Sequence, residues 1–312
     1  MNIAIIGAAG FIGTNLAIYL AKDSSKQITM IDSNLAFFSN LKKLEIHNIS
    51  YKEAEFSMNA DFDNQVKGQD VVYHLASTVI PGNSNKNIAE ELEQNVIVTV
   101  KLLDACVRQK VKKIVFISSG GAIYGKKGTC PISEDTVAYP ISSYGVQKLA
   151  IEKLLYLYRY QNGLDYRIIR LANPYGPYQR PNGKLGVVTT FVYKALTEGV
   201  VEVYGDGTVV RDFIYINDAI RGIQKIVEGD NDYRVFNLGA GQGVSVNEVI
   251  STIRDTICPD LKVKYIEGRT TDVPMNYLDI TRYEENYGLL NPVSLKDGIV
   301  MTAEFMRRTG MV

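Results

Sequence analysis

A doubly wound α/β architecture, with a parallel Rossmann-type sheet flanked by helices and a smaller C-terminal domain, is what this chain of 312 residues predicts. Three observations carry the expectation. Residues 2–6 form a short continuous apolar run, as a parallel strand buried on both faces requires. A glycine-rich turn follows at once and opens a helical stretch. Strand-like and helix-like segments then alternate, which implies right-handed crossovers within one parallel sheet.

In order, the strand at 2–6 leads into Gly7-Ala-Ala-Gly10-Phe11-Ile12-Gly13, and a helix is expected from about Phe11 to Lys22. A second strand, Ile28–Ile31, ends at Asp32. Further strand-like runs are Asp70–Leu75, Lys113–Ile117 and Tyr166–Leu171, separated by long helical stretches over about 86–109 and 143–161. Past Asn173-Pro174 the chain becomes rich in Pro and Gly, as a loop entering a new region would be. Helices are expected near 187–198, 217–228, 246–257 and 294–307, with a glycine turn at Gly205-Asp-Gly207 and a strand at Val235–Leu238. The expected division is a first domain over 1–172 and a second over 173–312, with the return of about 212–238 to the first left open.

Composition excludes several function classes. Hydrophobic residues at 46% and charged residues at 22% are ordinary for a soluble enzyme. Basic and acidic residues balance at 34 each, so no global field points to nucleic acid or an anionic membrane. Cys106, Cys130 and Cys258 are widely spaced, in no metal pattern, and suit a reducing cytoplasm. His47 and His74 are the only histidines, which leaves little for zinc chemistry; His74 is expected in the core with a backbone partner. Neither a membrane-length apolar run nor a signal peptide is visible, and the expected location is the cytoplasm.

The glycine turn carries chemistry because glycines between a buried strand and a helix let backbone N–H groups approach a pyrophosphate. Asp32 lies about 20 residues past Gly13, where a carboxylate accepts from a ribose 2′-hydroxyl. The same carboxylate repels a 2′-phosphate, so NAD is expected over NADP. Downstream, Ser-Ser-Tyr144-Gly-Val-Gln-Lys148 places a phenol and an ammonium on one helix face. A free tyrosine, with a pKa of about 10, is a poor base at neutral pH. A fixed positive charge nearby favours its phenolate.

The Gly-x-x-Gly-x-x-Gly turn together with Tyr-x-x-x-Lys resembles the extended short-chain dehydrogenase/reductases, and within them the nucleotide-sugar epimerase/dehydratase family, including its UDP-glucose 4-epimerases. The likeness runs through Val-Tyr-His-Leu-Ala76, Asn95, Ile-Ser118-Ser119-Gly-Gly-Ala-Ile-Tyr124-Gly, Arg170-Leu-Ala-Asn173-Pro, Tyr204-Gly-Asp-Gly-Thr-Val-Val-Arg211-Asp-Phe, Asn237-Leu-Gly-Ala and Arg269-Thr-Thr-Asp272. It implies that Gly7, Gly10, Phe11, Ile12, Gly13, Asp32, Ala76, Asn95 and Ser118 bind NAD together with Tyr144 and Lys148. It implies that Asn173, Arg211 and Arg269 hold a nucleotide diphosphate, and that Tyr204, Asp272 and Asn276 border base or sugar. A homodimer is implied as well, through the helices at 86–109 and 143–161.

One departure bears on the chemistry. Relatives place Ser or Thr where this chain has Gly120, or a threonine where it has Ala122, to bond the substrate hydroxyl. Ser119 is the expected substitute, completing a triad with Tyr144 and Lys148. The resemblance also implies an Asp-Glu pair in 4,6-dehydratases, a Glu in decarboxylases and a Cys in 3,5-epimerases at this stretch, and Gly121-Ala122 supplies none of them. What remains is an NAD-dependent nucleotide-sugar 4-epimerase, acting on the UDP-glucose/UDP-galactose pair and on the N-acetylhexosamine pair if Asn276 admits it. The alternatives are a 4-ketosugar reductase and a non-catalytic dinucleotide sensor.

Overall fold

The structure, a computed structural model, describes residues 1–79, 82, 84–126, 129–181, 186–268 and 273–312, with Asn40 described by its backbone alone. Contacts divide the chain into two compact units. One holds Met1–Ile123, Pro140–Arg170 and Asp232–Val235; the other holds Tyr124–Tyr139, Leu171–Asn231 and Phe236–Val312. The division is therefore interleaved along the chain.

A seven-stranded sheet runs through β1 (Asn2–Ile6), β2 (Gln27–Asp32), β3 (Ile49–Glu53), β4 (Val71–His74), β5 (Lys113–Ser119), β6 (Asp165–Leu171) and β7 (Val235–Leu238). Its order is β3-β2-β1-β4-β5-β6-β7. Pairing is parallel across β3, β2, β1, β4 and β5, with Ile5 opposite both Met30 and Tyr73. The strand order reverses between β1 and β4, and open α/β sheets bind ligands at the carboxyl ends of the strands there. The apolar run at 2–6 is buried from Ile3 to Ile6, as a central strand must be.

Strand β3 escaped the sequence reading. Ile49-Ser-Tyr-Lys-Glu53 lies at the sheet edge with β2 as its one neighbour, so it is not buried on both faces and carries no continuous apolar run. The helix expected over 86–109 is also not uniform. It runs as an α-helix over Ile88–Leu92, widens to a π turn over Glu93–Ile97, and resumes over Val98–Arg108; the whole is α2, and the helix after β1 (Phe11–Leu20) is α1. The widening has a local cause. The side-chain amide of Asn95 donates to Glu91 O at 2.9 Å, occupying the carbonyl that the Asn95 N–H would use in an α-helix. Helix α3 spans Ser143–Asn162 and ends on Gly163 in the left-handed conformation. The core of this unit packs Ile6, Val72, Val98, Leu102, Phe116, Ile151 and Leu155 around the sheet.

The second unit gathers Val188, Val192, Val201, Val203, Phe213, Val249, Ile253, Ile299 and Met306 into its own core. Its helices Val187–Thr197, Ile216–Glu228, Val246–Thr256 and Leu295–Arg308 lie close to the expected ranges. Its small sheets went unread: Val200–Tyr204 with Lys262–Ile266, and the strands of two or three residues that give periodicity too little to register, Asn173–Tyr175 with Phe213–Tyr215 and Val210–Arg211 with Met275–Asn276.

Candidate active site

At the carboxyl end of β1 the chain turns sharply. Gly7 has φ +82°, and a Cβ there would stand 2.6 Å from Ala76 N, so only glycine lets this turn approach the end of β4. A Cβ on Gly13 would likewise lie 2.6 Å from Ala8 O, within the helix–strand contact. Helix α1 begins at Phe11 with Gly10 as its cap, without a side-chain cap and without an acid in its first turn. Its leading N–H groups and positive dipole end are thus left for an anion, which fits the pyrophosphate of a dinucleotide. Asp32, at the end of β2, accepts from Ala9 N at 2.9 Å and Ser33 N at 2.8 Å. The carboxylate therefore holds the glycine loop in place, with further lone pairs for a ribose hydroxyl.

Helix α3 carries the pair Tyr144 and Lys148. A Cβ on Gly145 would meet Ala122 O at 2.6 Å and Pro140 Cβ at 2.8 Å, so a glycine after Tyr144 allows the first turn to press against the segment leaving β5. That approach brings Tyr144 beside Ser119, whose hydroxyl favours the phenolate. Lys148 Nζ lies 5.6 Å from the centroid of the Tyr144 ring and 4.5 Å from that of Phe116, and donates to Ile117 O at 2.9 Å. Both members of the pair are perturbed. Burial pushes the Tyr144 phenol up to about 12, against the pull of the Ser119 hydroxyl. Burial pushes the Lys148 ammonium down to about 8, against the attraction of Glu152. On the phenol, desolvation is the larger effect, and Ser119 opposes it.

Other expected positions fall nearby. Ala76, Ser77, Asn95, Tyr144, Gln147, Lys148 and Ile151 line one recess. Asn95 is buried, accepts from Thr78 N at 2.9 Å and donates to Thr78 Oγ1 at 2.8 Å, fixing the loop after β4. Ser118 points away from this group: its hydroxyl donates to Glu152 Oε1 at 2.6 Å, and Glu152 is paired with Arg170 at 2.8 Å. His74 differs from expectation in its partner. Its Nε2 meets the Thr99 hydroxyl at 2.9 Å, between the rings of Phe56 and Phe116, and burial pushes the imidazole down to about 3.

In the second unit, the Asn173 amide donates to Asp212 O at 2.9 Å. Arg211 donates to Val210 O at 2.8 Å and Val273 O at 2.6 Å. Asn276 stands in parallel register with Arg211 and is buried, while Tyr204 exposes about half of its surface. Arg269 and Asp272 lie outside the described residues. Asp212, unassigned from the sequence, organises this group: its carboxylate accepts from Ala240 N at 2.7 Å, Leu278 N at 3.2 Å and Gly241 N at 3.3 Å. Sequence reasoning also passed over Glu91, Gln147, Glu152 and Arg170. The one signal for Glu152 was its place four residues past Lys148, which puts it on the same helix face. Among the described residues no group of His, Cys, Asp and Glu is placed to hold a metal, and no helix is long and apolar enough to cross a membrane.

The chain is similar to known proteins over nearly its full length. The model of the NAD dependent epimerase/dehydratase family matches residues 3–239. A protein of Methanocaldococcus jannaschii named putative UDP-glucose 4-epimerase is 31% identical over 306 residues, covering 98% of each chain. The UDP-glucose 4-epimerase of Thermotoga maritima, solved with UDP-glucose, superposes with a TM-score of 0.89 at 32% identity, covering 99% of both chains. A UDP-N-acetylglucosamine 4-epimerase from Methanobrevibacter ruminantium, solved with UDP-N-acetylmuramic acid, superposes with a TM-score of 0.90 at 28% identity, covering 99% of this chain and 98% of that one.

Proposed function

The chain belongs to the NAD-dependent epimerase/dehydratase family, and within it we propose that it is a nucleotide-sugar 4-epimerase. NAD is its cofactor. The observation that carries the proposal is the placement of Tyr144 beside Ser119 and Lys148, in a stretch where Gly120, Gly121 and Ala122 bring no carboxylate or thiol for elimination, decarboxylation or 3,5-epimerisation. Oxidation and reduction at C4 need an acid–base group and a hydride carrier, and nothing more. When bound, NAD+ supplies the hydride acceptor and a further positive charge that favours the Tyr144 phenolate.

On this reading Tyr144 takes the proton from the sugar O4 as the C4 hydride leaves, and returns it when hydride adds to the other face of the 4-keto sugar. Ser119 steadies the phenolate by donating to it. Lys148 supplies positive charge and binds the nicotinamide ribose. Residues 1–172 carry the dinucleotide, through Gly7, Gly10, Phe11, Ile12, Gly13, Asp32, Ala76 and Asn95. Residues 173–312 carry the nucleotide sugar, with Asn173, Arg211 and Arg269 on the diphosphate and Tyr204, Asp272 and Asn276 around base and sugar. Arginine suits the diphosphate because its planar fork matches phosphate oxygens. We place the protein in the cytoplasm. It pairs with a second copy through α2 and α3, whose Ile97, Tyr156, Leu157 and Tyr160 are exposed; a monomer mass in sedimentation would remove the pairing.

The test is the purified protein incubated with UDP-glucose or UDP-galactose and no added cofactor. Interconversion to the same equilibrium mixture from either sugar is expected. Turnover only of a 4-keto sugar, and only with added NADH, would replace the epimerase with a reductase. No turnover under either condition, with NAD bound, would leave a dinucleotide sensor.

A further inference from the structure

One buried carboxylate outside the reacting group collects an unusual set of donors. Glu91, on the first segment of α2, receives the backbone N–H groups of Lys86 at 3.2 Å and of Asn85 and Asn87 at 3.4 Å. It also receives the Gln147 side-chain amide at 3.2 Å, and the Ser143 hydroxyl stands close enough to favour the carboxylate. Gln147 donates in addition to Ser143 Oγ at 2.8 Å, so its amide links Glu91 to Ser143 in one ring of contacts. The contact is reciprocal: Asn85, at φ 78°, sends its side-chain oxygen to Ser143 N at 2.6 Å. The Ser143 hydroxyl, and after it the loop amides, hold the Glu91 carboxyl below its ordinary range in spite of burial.

We propose that Glu91 is a positioning residue for Tyr144, fixing the first turn of α3 so that the phenol meets Ser119 and the lysine. Its two anchors on α3 bracket the tyrosine, at the position before it and the position three after. Gln147 also lines the recess shared by Tyr144, Lys148 and Asn95. The negative charge lies at the N-terminal end of α3, where the helix dipole favours it. Each first-turn donor of α3 named here has a fixed partner: Ser143 N on Asn85, and Gly145 N on Ser142 Oγ at 3.2 Å. A neutral amide at position 91 offers one acceptor oxygen in place of two, against the same set of donors. The donors that lose their acceptor turn to water, and the turn holding Tyr144 is released from the loop at 85–87. Misplacing a catalytic group by about 1 Å costs on the order of 10²-fold in rate.

The proposal rests on Tyr144 acting as the acid–base group, and its test keeps the two ideas apart. Glu91→Gln, purified with its NAD, is compared with the parent protein in hydrogen–deuterium exchange and in turnover of UDP-glucose. Faster exchange is expected at Ser143–Gln147 and at Asn85–Asn87, with kcat down about 10- to 100-fold and KM changed by less than about twofold, the pattern of an interaction lost in the transition state. Unchanged exchange at Ser143–Gln147 overturns the proposal, as does an unchanged kcat in an active parent. If the parent does not turn over UDP-sugars, the epimerase reading falls while exchange still decides whether Glu91 holds the turn. Should Glu91→Gln fail to fold, Ser143→Ala removes one hydroxyl from the same ring. It should show the same exchange pattern with a smaller loss of kcat, and wild-type exchange at Tyr144–Gln147 would again refute the role.

Discussion

Replacing Ser119 by alanine tests the part of the site in which this chain departs from its relatives. On the proposed reading Ser119 has one task at the reacting group, to donate to the Tyr144 phenolate against the burial that pushes the phenol up to about 12. A hydrogen bond to a charged partner contributes about 1.5–3 kcal/mol. That interaction strengthens as Tyr144 ionises, so its loss falls on the rate, and at about 1.4 kcal/mol per decade it predicts a fall in kcat of about 10- to 150-fold. The pH dependence adds a signed expectation. Tyr144 must be deprotonated to accept the sugar proton, so kcat rises with pH through its apparent pKa, and removing a group that lowers this pKa moves the rising limb to higher pH. Ser119→Thr keeps the hydroxyl and should keep most of the activity. The assay is steady-state interconversion of UDP-glucose and UDP-galactose between pH 6 and about 10, a range that runs from below the lowered Lys148 value to that of free tyrosine. A Ser119→Ala protein within about twofold of wild type in kcat, with an unmoved profile, would refute the assignment of Ser119 to the triad.

Tyr144→Phe should reduce epimerisation by about 10²–10⁴-fold while the protein still retains NAD, because only the ionisable oxygen is lost; near-wild-type turnover would remove Tyr144 as the base. Asp32 predicts tighter binding of NAD than of NADP in fluorescence titration, and equal affinities would contradict its place at the adenosine ribose. Asn276→Tyr should cut activity on UDP-N-acetylglucosamine far more than on UDP-glucose, because filling the space beside Arg211 rejects the larger sugar; an unchanged ratio of the two activities means that Asn276 is not the gate. His74 has a pKa near 6.5 in an unfolded chain and about 3 when buried here, so the folded state binds fewer protons and its stability is lost as pH falls below about 6.5. Denaturant unfolding at pH 6.5 and pH 5 should show a loss of roughly 1.5–2 kcal/mol that His74→Leu no longer shows, and equal losses in the two proteins would refute it.

What the sequence made legible was whatever a single segment encodes. The run at 2–6, the glycine turn and Asp32 follow one another in order, and each has a physical reason to be where it is. Tyr144 and Lys148 are four residues apart, so helix geometry alone puts them together. Strand β3 was lost because an edge strand needs no continuous apolar run, and the shortest strands of the second unit because two or three residues carry no period. The π turn was lost for a related reason: its cause, the Asn95 side chain on Glu91 O, replaces a backbone bond with a side-chain bond and leaves no trace in hydrophobic spacing.

The residues that support the chemistry were illegible on different grounds. Ser118 and Ser119 are adjacent and chemically identical, and both stand against α3. Ser119 lies beside Tyr144 in the first turn, while Ser118 is bound further along the helix to Glu152 and its Arg170 partner. No local pattern says which is which until the strand's placement against α3 is known. Glu91 is further still from view, because its donors come from positions 85–87, 143 and 147, and on the sequence it is one more acid on a helix. Its part in the site arises from the packing of two helices whose meeting is a tertiary event. Tyr144, by contrast, could be named from a motif, yet its pKa could not. The ammonium four residues on suggested a lowered value, while burial, which the sequence does not reveal, raises it. Burial and the Ser119 hydroxyl set the perturbation of the phenol, and both arise from tertiary packing that a four-residue spacing does not carry.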